Sequence, residues 1–304
     1  MELDQFSIQT SRLKLSGYKN NVTQGSPIIA LHGWLDNAAS FVPLAEHMDV
    51  ARPFYALEMP GHGLSEHRPK GANYHLIDNV VDVVVFIQTV LNMMTDKNEG
   101  YDEGALPSGA DIGTVSLIGH SLGGIVCSLV AAAAPNLVDK LILLDSLGPY
   151  TDQNDNVLPQ LRKSVAKYSS LAARKLTVFP DKKSAAKVRM TGVGKVSHQS
   201  AMLLVERGLE KVEGGYQWCS DPQLLNPSLI RFSEEQIKAI FEGIVCPVSL
   251  ICGDQGYFSN YKDLTKRFSY IKHLQNTNVS GGHHFHMDGD VSKTMELINE
   301  FLAL

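Results

Sequence analysis

A chain of 304 residues with 44% hydrophobic and 19% charged residues has a globular composition, with room for one large α/β domain or a domain carrying an insertion. Its net charge of −5 and the lack of any Lys/Arg-rich run exclude a nucleic-acid-binding face. Cys127, Cys219, Cys246 and Cys252 form no C-x-x-C pair and read as reduced packing residues, so neither a disulfide framework nor a thiolate metal site is expected.

The N-terminal segment MELDQFSIQTSRLKL has early acids and no apolar core of a secretory signal. The longest apolar run, Leu122 to Ala134, is too short to cross a bilayer, and the expectation is a cytoplasmic protein with no membrane span. Phe6, Ile8, Leu13 and Leu15 alternate with polar residues and predict an antiparallel opening pair of strands. Ser26 to Leu31 (SPIIAL) reads as a strand buried on both faces that runs into the loop His32-Gly33-Trp34-Leu35-Asp36-Asn37. Pro53 to Met59 reads as a fourth strand, closed by Pro60-Gly61-His62-Gly63-Leu64-Ser65. Leu76 to Met94 is a long amphipathic helix, and Thr95 to Gly113, rich in Gly, Asp, Asn and Ser, is a surface loop. Then come a strand at Val115 to Ile118, a helix at Leu122 to Ala134 and a strand at Lys140 to Asp145. This alternation means a mostly parallel, doubly wound α/β sheet.

From Ser146 to about Glu242 the rhythm stops. Helical segments are predicted at Leu158 to Leu176, Lys182 to Met190 and Gln199 to Arg207, followed by a turn at Val212 to Tyr216. Pro247 to Cys252 restores a strand, a helix follows near Tyr261 to Phe268, and Val291 to Leu302 closes the chain. The expected organisation is a core of residues 1–147 and 240–304 interrupted by a helical insertion of residues 148–239.

The chemistry centres on Gly119-His120-Ser121-Leu122-Gly123, a G-x-S-x-G pattern between a predicted strand and a predicted helix. The flanking glycines suit a turn so tight that side chains there would clash. Ser121 would be presented at a helix N-terminus, where the Leu122 amide can point at a developing oxyanion. A serine hydroxyl is a poor nucleophile at neutral pH and needs a positioned imidazole. Gly281-Gly282-His283-His284-Phe285-His286 offers three.

These motifs together, His32 to Asn37, Glu58 to Ser65, Gly119 to Gly123 and Gly281 to His283, resemble the α/β-hydrolase superfamily over nearly the whole chain, most of all its serine hydrolase-like subgroup. The resemblance implies an α/β-hydrolase fold with a Ser-acid-His site, His283 as the base, and an oxyanion hole made by the Trp34 and Leu122 amides. His32 and His62 are expected to be structural, Asp36 and Asn37 to tie their loop, and His284 and His286 to pack. Two departures stand out: Glu58 replaces the commoner Asp, and the position where the usual acid stands is Gly256. Two carboxylates remain candidates, Asp145 at the end of the sixth strand and Asp254 after the seventh, with Asp288 third. Leu158, Leu161, Leu171 and Trp218 are candidates to line an acyl pocket under the cap, residues 148–239, that the resemblance implies between strands six and seven, with core packing as the alternative for each of them. The expected activity is hydrolysis of a small or medium carboxylic ester through an acyl-enzyme on Ser121, with no metal and no cofactor. Thioester, lactone or C–C bond hydrolysis, or a non-catalytic ligand-binding role, are the alternatives.

Overall fold

The computed structural model describes residues 1–49, 51–95, 113–152, 156–170, 176–192, 194–257 and 262–304. Most of the predicted 95–113 loop, Leu171 and the start of the predicted helix at Tyr261 lie outside them. The opening alternation forms β1 (Asp4–Gln9) and β2 (Lys14–Lys19), antiparallel and in register from Asp4 opposite Lys19 to Gln9 opposite Lys14. β3 (Ile28–Leu31), β4 (Phe54–Leu57), β5 (Val115–His120) and β6 (Val138–Leu144) follow, with a short α1 (Val42–Glu46) after β3. Helices α2 (Leu76–Thr95) and α3 (Leu122–Ala133) make the crossovers. With β9 (Val248–Gln255) and β10 (Leu274–Gly282) the eight strands order as β1-β2-β4-β3-β5-β6-β9-β10, parallel from β4 onward.

The period of two decides which face each side chain joins. Leu31, Leu117, Leu143 and Leu250 meet Phe86, Val126 and Phe241 on one face. Their neighbours Ala30, Ile118, Ile142 and Ile251 meet Leu44, Met295 and Phe301 on the other. Continuous apolar runs are therefore what a sheet covered by helices on both sides requires.

Helix α2 corrects one expectation: it, and not the Leu122 to Ala134 run, is long and apolar enough to cross a membrane by length and composition. In this fold its Val83, Phe86, Ile87 and Val90 are buried in the core, and its buried Asp82 is paired with Arg12 at 2.6 Å and with Arg68.

Between β6 and β9 the chain forms α4 (Val157–Ser170), α5 (Lys182–Met190), α6 (His198–Gly208) and the hairpin β7 (Leu209–Val212) and β8 (Gly215–Trp218), which pairs apart from the main sheet. Phe179, Ala185, Ala186, Val196, Ala201 and Val205 give this region its own small core. Then α7 (Glu234–Phe241) starts at a capping box made by Ser233 and Gln236 and buries Ile237 and Phe241 in the main core, so the expected boundary at residue 239 falls inside a core helix. The chain ends through α8 (Phe285–Asp288) and α9 (Val291–Ala303).

Candidate active site

The site lies at the carboxyl ends of the parallel strands, where an open α/β sheet places its ligands. Among the described residues, the non-glycine residues with positive φ are Leu35, Ser121 and Asp145, which follow β3, β5 and β6. Such backbone persists where the surroundings enforce it, and such residues cluster at functional sites.

Ser121 (φ 51°, ψ −116°) is the N-cap of α3. The glycines around it are required by contact. A Cβ on Gly119 would lie 2.5 Å from the Gly124 Cα, one on Gly123 would lie 2.0 Å from the Leu31 carbonyl oxygen, and one on Gly124 would lie 2.6 Å from the Ser146 Cβ. The first turn of α3 is thereby pressed onto β3 and onto the loop after β6. The Ser146 hydroxyl locks the turn by donating to the Ser121 carbonyl at 2.7 Å. Leu122, first residue of α3, presents an N–H that the helix itself leaves without an acceptor.

Asp145 and His283 are brought together. His283 Nδ1 donates to Asp145 Oδ2 at 2.6 Å, and the same oxygen accepts the Tyr257 N–H at 2.7 Å. The Tyr257 ring packs on the imidazole with centroids 4.0 Å apart. Burial lowers the His283 pKa, while the Asp145 hydrogen bond works against it, leaving the group below its ordinary value. A Cβ on Gly256 would stand 2.5 Å from Asp145 Oδ1, so the residue at the usual acid position is the one that makes room for a carboxylate from β6. Asp254 is not brought to the imidazole: its exposed carboxylate accepts the Gly281 N–H at 2.9 Å and ties the end of β10. Asp288 is also elsewhere, bonded to the Ser197 amide and, at 2.9 Å, to the Ser200 hydroxyl.

Ser121, Asp145 and His283 share one cavity with Ile125, Ser146, Leu147, Gly148, Pro149, Tyr150, Tyr257 and Leu264. This differs from the lining expected from the cap. Leu158 is 52% exposed, and Trp218 packs edge-on against Phe179 within the small cap core. Leu161 is half-buried and also lies outside the cavity lining. The loop immediately after β6 supplies the walls that the cap helices were expected to supply, because the tight turn at Asp145 directs it back over the site.

Trp34 follows Gly33 at the end of β3, and its indole N–H donates to the Leu224 carbonyl at 3.0 Å. His32 is held as a neutral linker, with Nδ1 donating to Gly33 O at 2.7 Å and Nε2 accepting the Met59 N–H at 3.2 Å; burial lowers its pKa. Burial, with His32 beside it, pushes the His62 imidazole down to about 3. Asn37 ties its loop as expected, accepting the Ala39 N–H at 3.0 Å and donating to Leu204 O at 2.9 Å.

Asp36 does more than tie a loop. Its Oδ1 accepts Arg189 Nη2 from α5 at 2.6 Å and its Oδ2 accepts His284 Nε2 at 3.0 Å, all three groups buried. His120 Nε2 in turn donates to His283 O at 2.9 Å. The peptide carrying His283 is thus braced by an imidazole on each side. Sequence spacing could not reveal this, because Asp36, Arg189 and His284 are far apart in the chain. Asp36, His120 and His284 also offer ligand atoms within 4.8 Å of one another, but Arg189 already supplies the cation there, and a metal would have to displace it.

Glu58 likewise spans to the cap, accepting Arg207 Nε at 2.8 Å and Nη2 at 3.0 Å from α6, with the guanidinium 4.4 Å from the Tyr18 ring centroid. It also accepts the Leu64 N–H at 2.9 Å.

Comparison with known proteins places the chain among its relatives. A serine hydrolase-like protein of Dictyostelium discoideum is 28% identical over 90% of this chain and 74% of its own length. A serine hydrolase-like protein of Danio rerio is 26% identical over 99% of this chain and 93% of its own. The crystal structure of a hypothetical protein from Pseudomonas aeruginosa PAO1 superposes with a TM-score of 0.83 at 31% identity, covering 99% of this chain and 98% of that one. The alpha/beta hydrolase family matches residues 28–290, and the chain belongs to that family.

Proposed function

We propose that this hydrolase cleaves a neutral carboxylic ester of small or medium acyl size through an acyl-enzyme on Ser121. The observation that carries the reading is the 2.6 Å Asp145–His283 pair opening into the same cavity as Ser121. In this scheme His283 takes the Ser121 proton as Oγ attacks the ester carbonyl. Asp145 holds the imidazole with its proton on Nδ1 and stabilises the imidazolium that forms. The Leu122 and Trp34 amides receive the oxyanion. His283 then passes the proton to the leaving alkoxide, the acyl group stays on Ser121, and water, deprotonated by the same imidazole, releases the acid. No step calls for a metal or cofactor.

A neutral substrate is supported by the cavity walls. Among the described lining residues there is no Lys or Arg to receive a substrate carboxylate, and Leu147, Pro149, Tyr150, Tyr257 and Leu264 favour an apolar group. Thioesters and lactones fit the same machinery, and the fold does not separate them from esters.

A fluorophosphonate probe followed by peptide mapping tests the reading. Labelling of Ser121 is expected, together with a loss of about 10³-fold or more in activated-ester hydrolysis for Ser121→Ala. A folded protein that takes no label would instead be a ligand-binding member of the fold.

A further inference from the structure

Helix α4 is built with its polarity reversed. The residues it buries are Gln160 and Ser164, whose side chains both donate to the Ser228 carbonyl, at 3.1 and 3.0 Å. The residues it shows to solvent include Leu158 (52% exposed) and Val165 (54%), with half-buried Leu161 between them. At spacings i, i+3 and i+7 these three form one stripe along the helix. A surface helix of a globular protein carries the opposite pattern. Every charge on α4 is positive, Arg162, Lys163 and Lys167, in a chain whose net charge is −5. Arg162 is exposed beside the stripe, and Lys163 is exposed about 140° round the helix from Leu158, at the edge of the solvent face. The same chemistry continues off the helix: Ile230, two residues past the carbonyl that anchors α4, is 74% exposed and is followed by Arg231. The patch also lies on the continuation of the loop that walls the cavity, where Tyr150 both lines the site and is 53% exposed.

We propose that α4 docks on a phospholipid surface bearing anionic headgroups, with Leu158, Leu161 and Val165 entering the acyl boundary, Arg162 beside them meeting a phosphate and Lys163 reaching the headgroups from the edge of the exposed face. An apolar stripe flanked by cations is the composition that binds such an interface. It is a poor composition for pairing with a second copy, since a two-fold contact of α4 on α4 brings Arg162 of one chain close to Arg162 of the other. The docked helix would hold the rim at Tyr150 next to the lipid, where an apolar ester could enter the cavity without crossing water. Only that last consequence rests on the ester reading.

The test is co-sedimentation of the full chain with vesicles of phosphatidylcholine alone and of phosphatidylcholine with phosphatidylglycerol. Binding to the mixed vesicles, weakening as sodium chloride is added, is expected. Two double variants, Leu158→Ser with Val165→Ser and Arg162→Glu with Lys163→Glu, should each reduce partitioning by about tenfold or more. Both should leave hydrolysis of a water-soluble activated ester near the wild-type rate. Failure of the wild type to bind, equal binding to neutral vesicles, or unchanged partitioning of both variants would overturn the proposal. So would a wild-type dimer in solution that the Leu158→Ser, Val165→Ser variant abolishes, since the stripe would then belong to a second copy. Absence of fluorophosphonate labelling would sink the ester reading and leave the vesicle result standing.

Discussion

Asp145 reaches the His283 imidazole from the end of β6 with a left-handed backbone (φ 47°), and glycine at position 256 leaves the space its carboxylate fills. Asp145→Asn is expected to lower kcat by about 10⁴-fold, as loss of the triad acid does in serine proteases, and Asp254→Asn to change it little. Comparable small losses at both positions would show that neither carboxylate orients the base. The pH profile adds a signed check. The base must be neutral, and burial favours the neutral imidazole, so the acid limb of kcat/KM should fall at a pH below the ordinary histidine value. The Asp145 hydrogen bond acts to raise that pKa, so the residual activity of Asp145→Asn should show its limb at still lower pH. A limb that moved upward would contradict the pairing. Gly256→Ala should cost on the order of 10²-fold in kcat, because a displacement of the acid approaching 1 Å disturbs the base. The Ser121 turn was legible because glycine spacing records a steric demand. The choice between Asp145 and Asp254 was not, since it depends on which carboxylate the backbone turns inward.

At the scale of elements, α5 is held to the loop after β3 and to the His283 segment by one buried arginine. Burial acts to raise the Asp36 pKa, but the charges of Arg189 and His284 outweigh it and hold the carboxyl well below its usual range. Removing one partner of such a buried pair leaves the other uncompensated, so Asp36→Asn is expected to cost about 3–5 kcal/mol. The depressed pKa fixes the sign with pH. The contribution is present above the unfolded carboxylate value, about 3.9, and is lost as pH falls below it. Urea midpoints of wild type and Asp36→Asn should therefore converge on acidification; a constant gap would mean that the pair is not what the variant removes. The sequence shows why such ties escape notice. Strand and helix periods place the opening pair β1 and β2 and name β3 to β6, α2 and α3 to within a few residues of their ends, since each buries a regular apolar face. β10 buries Val279 alone and, after half-buried Leu274, is otherwise polar or small, LQNTNVSGG, because it is an edge strand, and apolar patterning has little to register there. Helix α7 did carry a signal, the Ser233-x-x-Gln236 capping box, ahead of the two core residues it buries.

For the whole molecule, the question is whether residues between β6 and β9 move as a lid or stand as a fixed part of the wall. Arg189 on Asp36 and Arg207 on Glu58 join α5 and α6 to two different loops of the sheet, and all four side chains are at most 9% exposed. Glu58 is set by more than its arginine: Gly63 (φ 51°) passes so close that a Cβ there would lie 2.1 Å from Oε1. At the same loop, Asp221 donates its N–H to the Gly61 carbonyl at 2.8 Å and accepts the Tyr74 hydroxyl at 2.7 Å. Moving this region away from the sheet would break both buried ion pairs and expose the surface they cover in one step, which disfavours partial opening. Native-state hydrogen exchange should then show the α5 and α6 amides opening with nearly the same free energy as those of β5 and β6, as one cooperative unit. Replacing both arginines by methionine removes the ties, and there the α5 and α6 amides should exchange faster than those of β5 and β6. If α5 and α6 in the wild type already exchanged far more readily than β5, the arginine ties would not be holding the cap, and it would be a lid that opens on its own.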